Sequence, residues 1–132
     1  MEKTIKKSQE KAAPLVCVVD DDESMREALQ SLLKSVGFRT AIFASASEFL
    51  NAKKSSETDC LILDVRMPEM NGLELQQKLV AENSRVPIVF ISAHSEADEK
   101  AQAIAAGAID FLYKPFSSTL SNLIFENRTQ SR

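Results

Sequence analysis

Residues 14–24 read PLVCVVDDDES, a short apolar run rich in β-branched residues followed at once by three aspartates. Nothing polar interrupts the run, so it suits a strand covered on both faces, and such strands belong to parallel sheets. An aspartate after a strand commonly turns the chain or caps the next helix. That accounts for one acid, whereas three like charges at one point repel. The stretch therefore implies a buried parallel sheet and leaves open why carboxylates gather at its edge.

The same pattern recurs outward from this point. With LVCVV (15–19), the runs TAIF (40–43), CLILD (60–64), PIVFIS (87–92) and DFLY (110–113) make five strand candidates. Helical spacing fills the gaps. Met25, Ala28, Leu29, Leu32, Leu33 and Val36 predict a first helix, with Ser24 and Glu27 at capping-box spacing and Gly37 as its C-terminal cap. Ser45 and Glu48 repeat the capping-box spacing before a shorter helix through Phe49 and Leu50. Asn71 or Gly72 opens a third, over Leu73, Leu75, Leu79 and Val80. SEADEKAQAIAAG (95–107) predicts a fourth, Ala-rich and weakly apolar on its inner face, ending at Gly107. A short last helix rests on Leu120, Leu123 and Ile124. Short apolar runs alternating with helical segments indicate an open α/β sandwich of about five βα units, in which ligands bind at the carboxyl ends of the strands.

At 132 residues and 44% hydrophobic, the chain supports one domain with a single core. Residues 1–14 are polar and Lys-rich and are expected to be a flexible arm; the domain is expected over 15–125, with 126–132 a polar tail or the start of a linker. A net charge of −3 and a pI near 5.2 give no electrostatic footprint for nucleic acid. Any DNA contact would have to come from elsewhere. The apolar runs are too short to cross a bilayer and the amino terminus lacks the apolar stretch of a signal peptide, so no membrane partner and a cytoplasmic location are expected. Cys17 and Cys60 lie inside apolar runs and read as buried free thiols rather than a disulfide. A single histidine excludes a His-rich metal site.

Asp20, Asp21 and Asp22 follow the first strand, Asp64 ends the third, Ser92 ends the fourth and Lys114 follows the fifth. Parallel strands place their carboxyl ends on one edge, so these side chains converge from distant parts of the sequence. Clustered carboxylates repel unless a cation compensates, and Mg²⁺ suits a sparse site of one or two carboxylates. A carboxylate nucleophile, Mg²⁺, a lysine and a hydroxyl are the parts needed to receive a phosphoryl group.

VVDDDES, LILDVRMPEMNGLEL, VFISAH and GAIDFLYKPF, in this order, resemble the successive motifs of response-regulator receiver domains of two-component signalling, most closely the FixJ type, over roughly residues 15–120. The resemblance implies an α/β fold with a doubly wound five-stranded parallel sheet, flavodoxin/CheY-like, in strand order 2-1-3-4-5. It implies that Asp64 accepts the phosphoryl group and that Asp21 binds Mg²⁺ directly. Asp20 would act through water or by orienting a neighbour, and the backbone carbonyl of Arg66 would be a further ligand. Ser92 would bond a phosphoryl oxygen, with small Ala93 leaving access, and Lys114 would pair with the phosphoryl group beside a cis Pro115. Phe111 occupies the aromatic switch position, rotating inward as Ser92 moves, although an aromatic in a strand also reads simply as core. Asp22 falls outside the acidic pair and reads as a turn residue or helix cap. His94 reads as a solvated loop residue with a second reading as a tuner of hydrolysis, and Tyr113 as a packing or partner-facing residue.

The implied function is a signalling domain that takes a phosphoryl group from a sensor histidine kinase onto Asp64. It would catalyse its own phosphorylation and slow dephosphorylation rather than turn over a separate substrate. Phosphorylation would alter the surface of the fourth helix, fifth strand and last helix, where Ala97, Ala101, Ile104 and Ala105 suggest a homodimer contact, and so regulate an attached or separate transcriptional output. Two alternatives stay open: a small haloacid-dehalogenase-like phosphatase with Asp20 as nucleophile, and a receiver-like module that binds partners without phosphorylation. The clipped last helix and polar end point to an excised receiver, with a stand-alone regulator the other possibility.

Overall fold

The computed structural model describes residues 13–93 and 97–114. Within them β1 (Leu15–Val19), β2 (Arg39–Phe43), β3 (Cys60–Asp64), β4 (Ile88–Ser92) and β5 (Asp110–Tyr113) form one sheet in the order β2-β1-β3-β4-β5, every pair parallel. This is the expected fold and strand order. Two strand ends differ by one residue from expectation. Arg39 joins β2 because its N–H bonds the Pro14 carbonyl, and Pro87 stays outside β4, contributing only its carbonyl to Leu61.

The uninterrupted apolar runs are explained by burial on both faces: all five residues of β1, β3 and β4 are buried, while edge strand β2 is half-exposed. Alternate residues point to opposite faces. Cys17, Val19, Leu61, Leu63, Phe90 and Phe111 pack on one side with Phe49, Leu75, Leu79 and Ala103, whereas Val16, Val18, Cys60, Ile62, Val89 and Ile91 pack on the other with Leu29 and Leu33. Cys17 and Cys60 thus lie on opposite faces as buried free thiols, as expected.

The helices are α1 (Glu23–Ser35), α2 (Ala46–Ala52), α3 (Gly72–Ala81) and α4 (Ala97–Ala105), with a 3₁₀ turn at Ser55–Glu57. The expected Ser24–Glu27 box does not form. The helix starts two residues earlier, so Ser24 already lies in the first turn and Asp22 caps it, accepting from the N–H groups of Ser24 at 2.9 Å and Met25 at 3.3 Å. Only Leu29 and Leu33 of α1 are fully buried; Ala28 and Val36 face solvent. At its end Gly37 takes φ +97°, and the N–H groups of Gly37 and Phe38 bond the Lys34 and Leu33 carbonyls, a left-handed cap that glycine adopts without strain.

Ser45 caps α2 through the Glu48 N–H, while the Glu48 carboxylate reaches the Ala44 N–H. Asn71 and Glu74 form a complete capping box on α3, whose Val80 is exposed rather than apolar-face. Helix α4 buries only Ala103, the weak face its composition predicted. The expected last helix, Pro115, His94 and most of the amino-terminal arm lie outside the described residues. Among the described residues no helix is long and apolar enough to cross a membrane.

Candidate functional site

Strand register brings the predicted residues together. Val19 pairs with Leu63, Asp64 with Ile91 and Ser92 with Tyr113, so residues 20, 64, 92 and 114 all emerge at one edge of the sheet. Lys114 hydrogen-bonds the Ser92 carbonyl through its backbone N–H at 2.9 Å and sends its Nζ back across that edge. The Nζ lies 3.1 Å from Asp20 Oδ2 and 3.8 Å from Asp64 Oδ1. Carboxylate oxygens of Asp20, Asp21 and Asp64 lie within 4.8 Å of one another.

The two members of the acidic pair occupy different environments. Asp20 is fully buried: its backbone N–H bonds the Phe43 carbonyl, Oδ1 accepts the Asp22 N–H at 2.9 Å and Oδ2 faces Lys114. Asp21 is exposed. Asp22 turns away to cap α1, as the reading of it as a cap requires.

Burial first, and then the neighbouring Asp20 and Asp21 charges, push the Asp64 carboxyl up to about 7 from an ordinary 3.8, against the opposing pull of Lys114 and of a hydrogen bond from the Arg66 backbone. Three crowded carboxylate oxygens, one on a group that resists ionising without further positive charge, match the donor chemistry of a hard divalent cation. The residues present fit Mg²⁺.

Ser92 is fully buried at the end of β4 with exposed Ala93 after it. Phe111 is 2% exposed and points inward, its ring stacked 5.8 Å from that of Phe90 and tilted at 5.6 Å from that of Tyr113, which itself is half-exposed. Arg26 and Glu99, which sequence patterns did not single out, also belong to this region, as does Gly72, expected only as a possible helix start. Arg26 of α1 donates Nη1 to the Asp20 carbonyl at 2.8 Å. Glu99 of α4 pairs with Arg66 at 2.9 Å. Gly72 packs its α-carbon against the Asp64 backbone. A basic residue one turn into the helix after the acids was the only available signal for the first.

Residues 16–124 match the family model described as the response regulator receiver domain. The chain belongs to the response-regulator receiver family. The receiver is 50% identical over 102 residues to the response regulator protein TmoT of Ectopseudomonas mendocina, covering 77% of this chain and 46% of TmoT. It is 37% identical over 112 residues to the transcriptional regulatory protein FixJ of Bradyrhizobium diazoefficiens, covering 85% of this chain and 55% of FixJ. Its fold is similar to the solved response regulator StyR, with a TM-score of 0.81 and 45% identity over 92% of this chain and 65% of that one. The receiver spans about half the length of the curated relatives it matches.

Membership leaves the phosphatase and the phosphorylation-independent module unfavoured. The geometry agrees in one respect: Asp22, the second acid of the Asp-x-Asp that the phosphatase needs, is engaged at the start of α1.

Proposed function

We propose that the chain is the phospho-accepting receiver of a two-component regulator, with Asp64 the acceptor of a phosphoryl group delivered by the phosphohistidine of a sensor histidine kinase. An Asp64 carboxylate oxygen attacks phosphorus, the P–N bond breaks, and the imidazole nitrogen leaves with its electron pair. The observation that carries the reading is the convergence of Asp64 with Asp20, Asp21 and Lys114 at one sheet edge, with separations of 3.1–3.8 Å from the lysine.

Asp21, Asp64 and the Arg66 carbonyl would hold Mg²⁺, with Asp20 acting through water or by orienting a neighbour. The ion would supply positive charge against the phosphoryl oxygens. Lys114 neutralises a second side of the group, and the Ser92 hydroxyl bonds a third oxygen. The same groups permit slow hydrolysis of the acyl phosphate. Phosphorylation biases a two-state equilibrium in which Ser92 and Phe111 are the switch. The inward Phe111 already has the position that the phosphorylated state is expected to favour.

The receiver unit runs over 15–125, with 1–14 as an arm and 126–132 as a polar tail or the start of a linker; the family match over 16–124 supports the central span. The protein acts in the cytoplasm, and its output is transcriptional, with DNA met only through an output domain absent from this chain; similarity to the transcriptional regulatory protein FixJ supports the transcriptional output. Exposure of Ala97, Ala101, Ile104 and Ala105 on α4 supports a homodimer contact after phosphorylation.

The test is intact mass after incubation with acetyl phosphate and Mg²⁺. One hydroxylamine-labile phosphoryl group on the parent and none on Asp64→Asn is expected. Labelling that survives in Asp64→Asn but vanishes in Asp20→Asn would overturn the assignment. Light scattering of phosphorylated protein that stays monomeric at high concentration would remove the dimer.

A further inference from the structure

The Asp20 carbonyl projects beyond the last ladder pair of β1. The residue's own N–H bonds the Phe43 carbonyl of β2, and Asp20 itself is fully buried. A buried carbonyl without a partner is costly. Arg26, half-buried in the first turns of α1, meets this need with its guanidinium at 2.8 Å.

The same arginine closes a small frame around the acids. Its backbone N–H bonds the Asp22 carbonyl at 3.0 Å, and the Asp22 N–H in turn bonds Asp20 Oδ1 at 2.9 Å. Asp21 therefore sits between two residues clamped by one side chain and one backbone of Arg26. Asp21 is exposed, yet its carboxylate is held within 4.8 Å of those of Asp20 and Asp64. Lys114 touches carboxylate oxygens, whereas Arg26 bonds a backbone oxygen, so it adds positive charge behind the cluster without taking up a donor atom from it.

The geometry points to Arg26 as a positioning residue for the divalent cation: by clamping the Asp20 carbonyl to α1 it sets where Asp21 presents its carboxylate. This rests on the Mg²⁺-dependent reading above. Outer-shell partners of this kind change metal affinity without touching the ion.

The experiment is calorimetric titration of Mg²⁺ into the parent and into Arg26→Ala, Arg26→Gln, Arg26→Lys and Asp21→Asn, with melting temperatures in EDTA and acetyl phosphate labelling rates at saturating Mg²⁺. The expected result is Mg²⁺ affinity weaker by about 10-fold in Arg26→Ala. Arg26→Lys, which keeps a charged donor, recovers most of the loss, and the labelling rate at saturating Mg²⁺ stays within about 2-fold of the parent, as a residue acting only through the ion requires. A lower melting temperature with unchanged Mg²⁺ affinity would make Arg26 merely structural and overturn the inference. So would tighter Mg²⁺ binding in Arg26→Gln, which keeps a donor but removes the charge, because repulsion of the ion would then dominate. If Arg26→Ala does not fold, the Lys and Gln variants decide on the same criteria. A parent that binds no Mg²⁺ at all would sink the metal-dependent reading itself, a failure distinguishable from equal affinities across the series.

Discussion

The carbonyl oxygen of Asp64 occupies the space that a side chain on residue 72 would need. A Cβ at Gly72 would run into that oxygen and approach the Phe90 ring at 3.1 Å. Helix α3 therefore begins pressed against the end of the strand that carries the acceptor, an approach also marked by the Gly72 N–H bonding the Val65 carbonyl at 2.9 Å. Glycine is required here for closeness rather than for an unusual φ.

Gly72→Ala is accordingly expected to push α3 away from β3 and to destabilise the domain by about 1–3 kcal/mol, in the range of overpacked core sites. Labelling at Asp64 should fall with it. Urea unfolding of the variant measures this directly, and an unchanged midpoint would show that the loop absorbs the methyl group at no cost.

The raised proton affinity of Asp64 sets the sign of a pH effect. Its folded value, about 7, lies above the ordinary 3.8, so the folded state holds the proton more tightly than the unfolded chain. The group costs nothing below pH 4, its cost grows as pH rises from 4 to 7, and above 7 it is fully present, on the order of 4 kcal/mol at most. Asp64→Asn should therefore melt higher than the parent at pH 8 in EDTA, with the advantage shrinking toward pH 4. Mg²⁺ should narrow the gap by stabilising the parent. Equal melting of the two proteins at pH 8 would contradict the electrostatic picture.

Lys114 is expected to have two separable roles. Lys114→Ala leaves the buried Asp20 carboxylate without its cation and should lower stability in EDTA by roughly 2–4 kcal/mol. It should also cut the labelling rate by about 100-fold or more, because charge on the transferring group loses one of its stabilisers. Saturating Mg²⁺ should restore much of the stability and little of the rate. Full rescue of labelling by Mg²⁺ would show that the lysine serves the fold alone.

Neither thiol should react with disulfide reagents in the native state. Burial pushes Cys17 up and Cys60 to about 12, so the reactive thiolate is suppressed as well as covered. Both should react together once the protein unfolds in urea. Fast labelling of one under native conditions would reveal local opening of its face of the sheet.

The sequence by itself determined the strands, their order by way of the family motifs, and the edge at which Asp20, Asp64, Ser92 and Lys114 meet. Uninterrupted apolar runs force two-sided burial, and parallel strands bring their ends together whatever the loops contain. Helix ends with glycine in a left-handed conformation, at Gly37 and Gly107, were legible for the same reason, since few other residues adopt that backbone freely.

What only the tertiary structure decided is which polar group bonds which. Asp22 caps α1 in place of Ser24, Lys114 lies nearer Asp20 than Asp64, Val80 and Val36 face outward, and Phe111 stacks inward on Phe90. Periodicity constrains faces to within a residue or two, but a hydrogen bond or an ion pair is settled over tenths of an ångström by packing from elements far apart in sequence. Arg26 shows this best: its position after the acids is plain in the chain, while its partner, the Asp20 backbone oxygen, exists as an unmet acceptor only once β1 is buried between its neighbours.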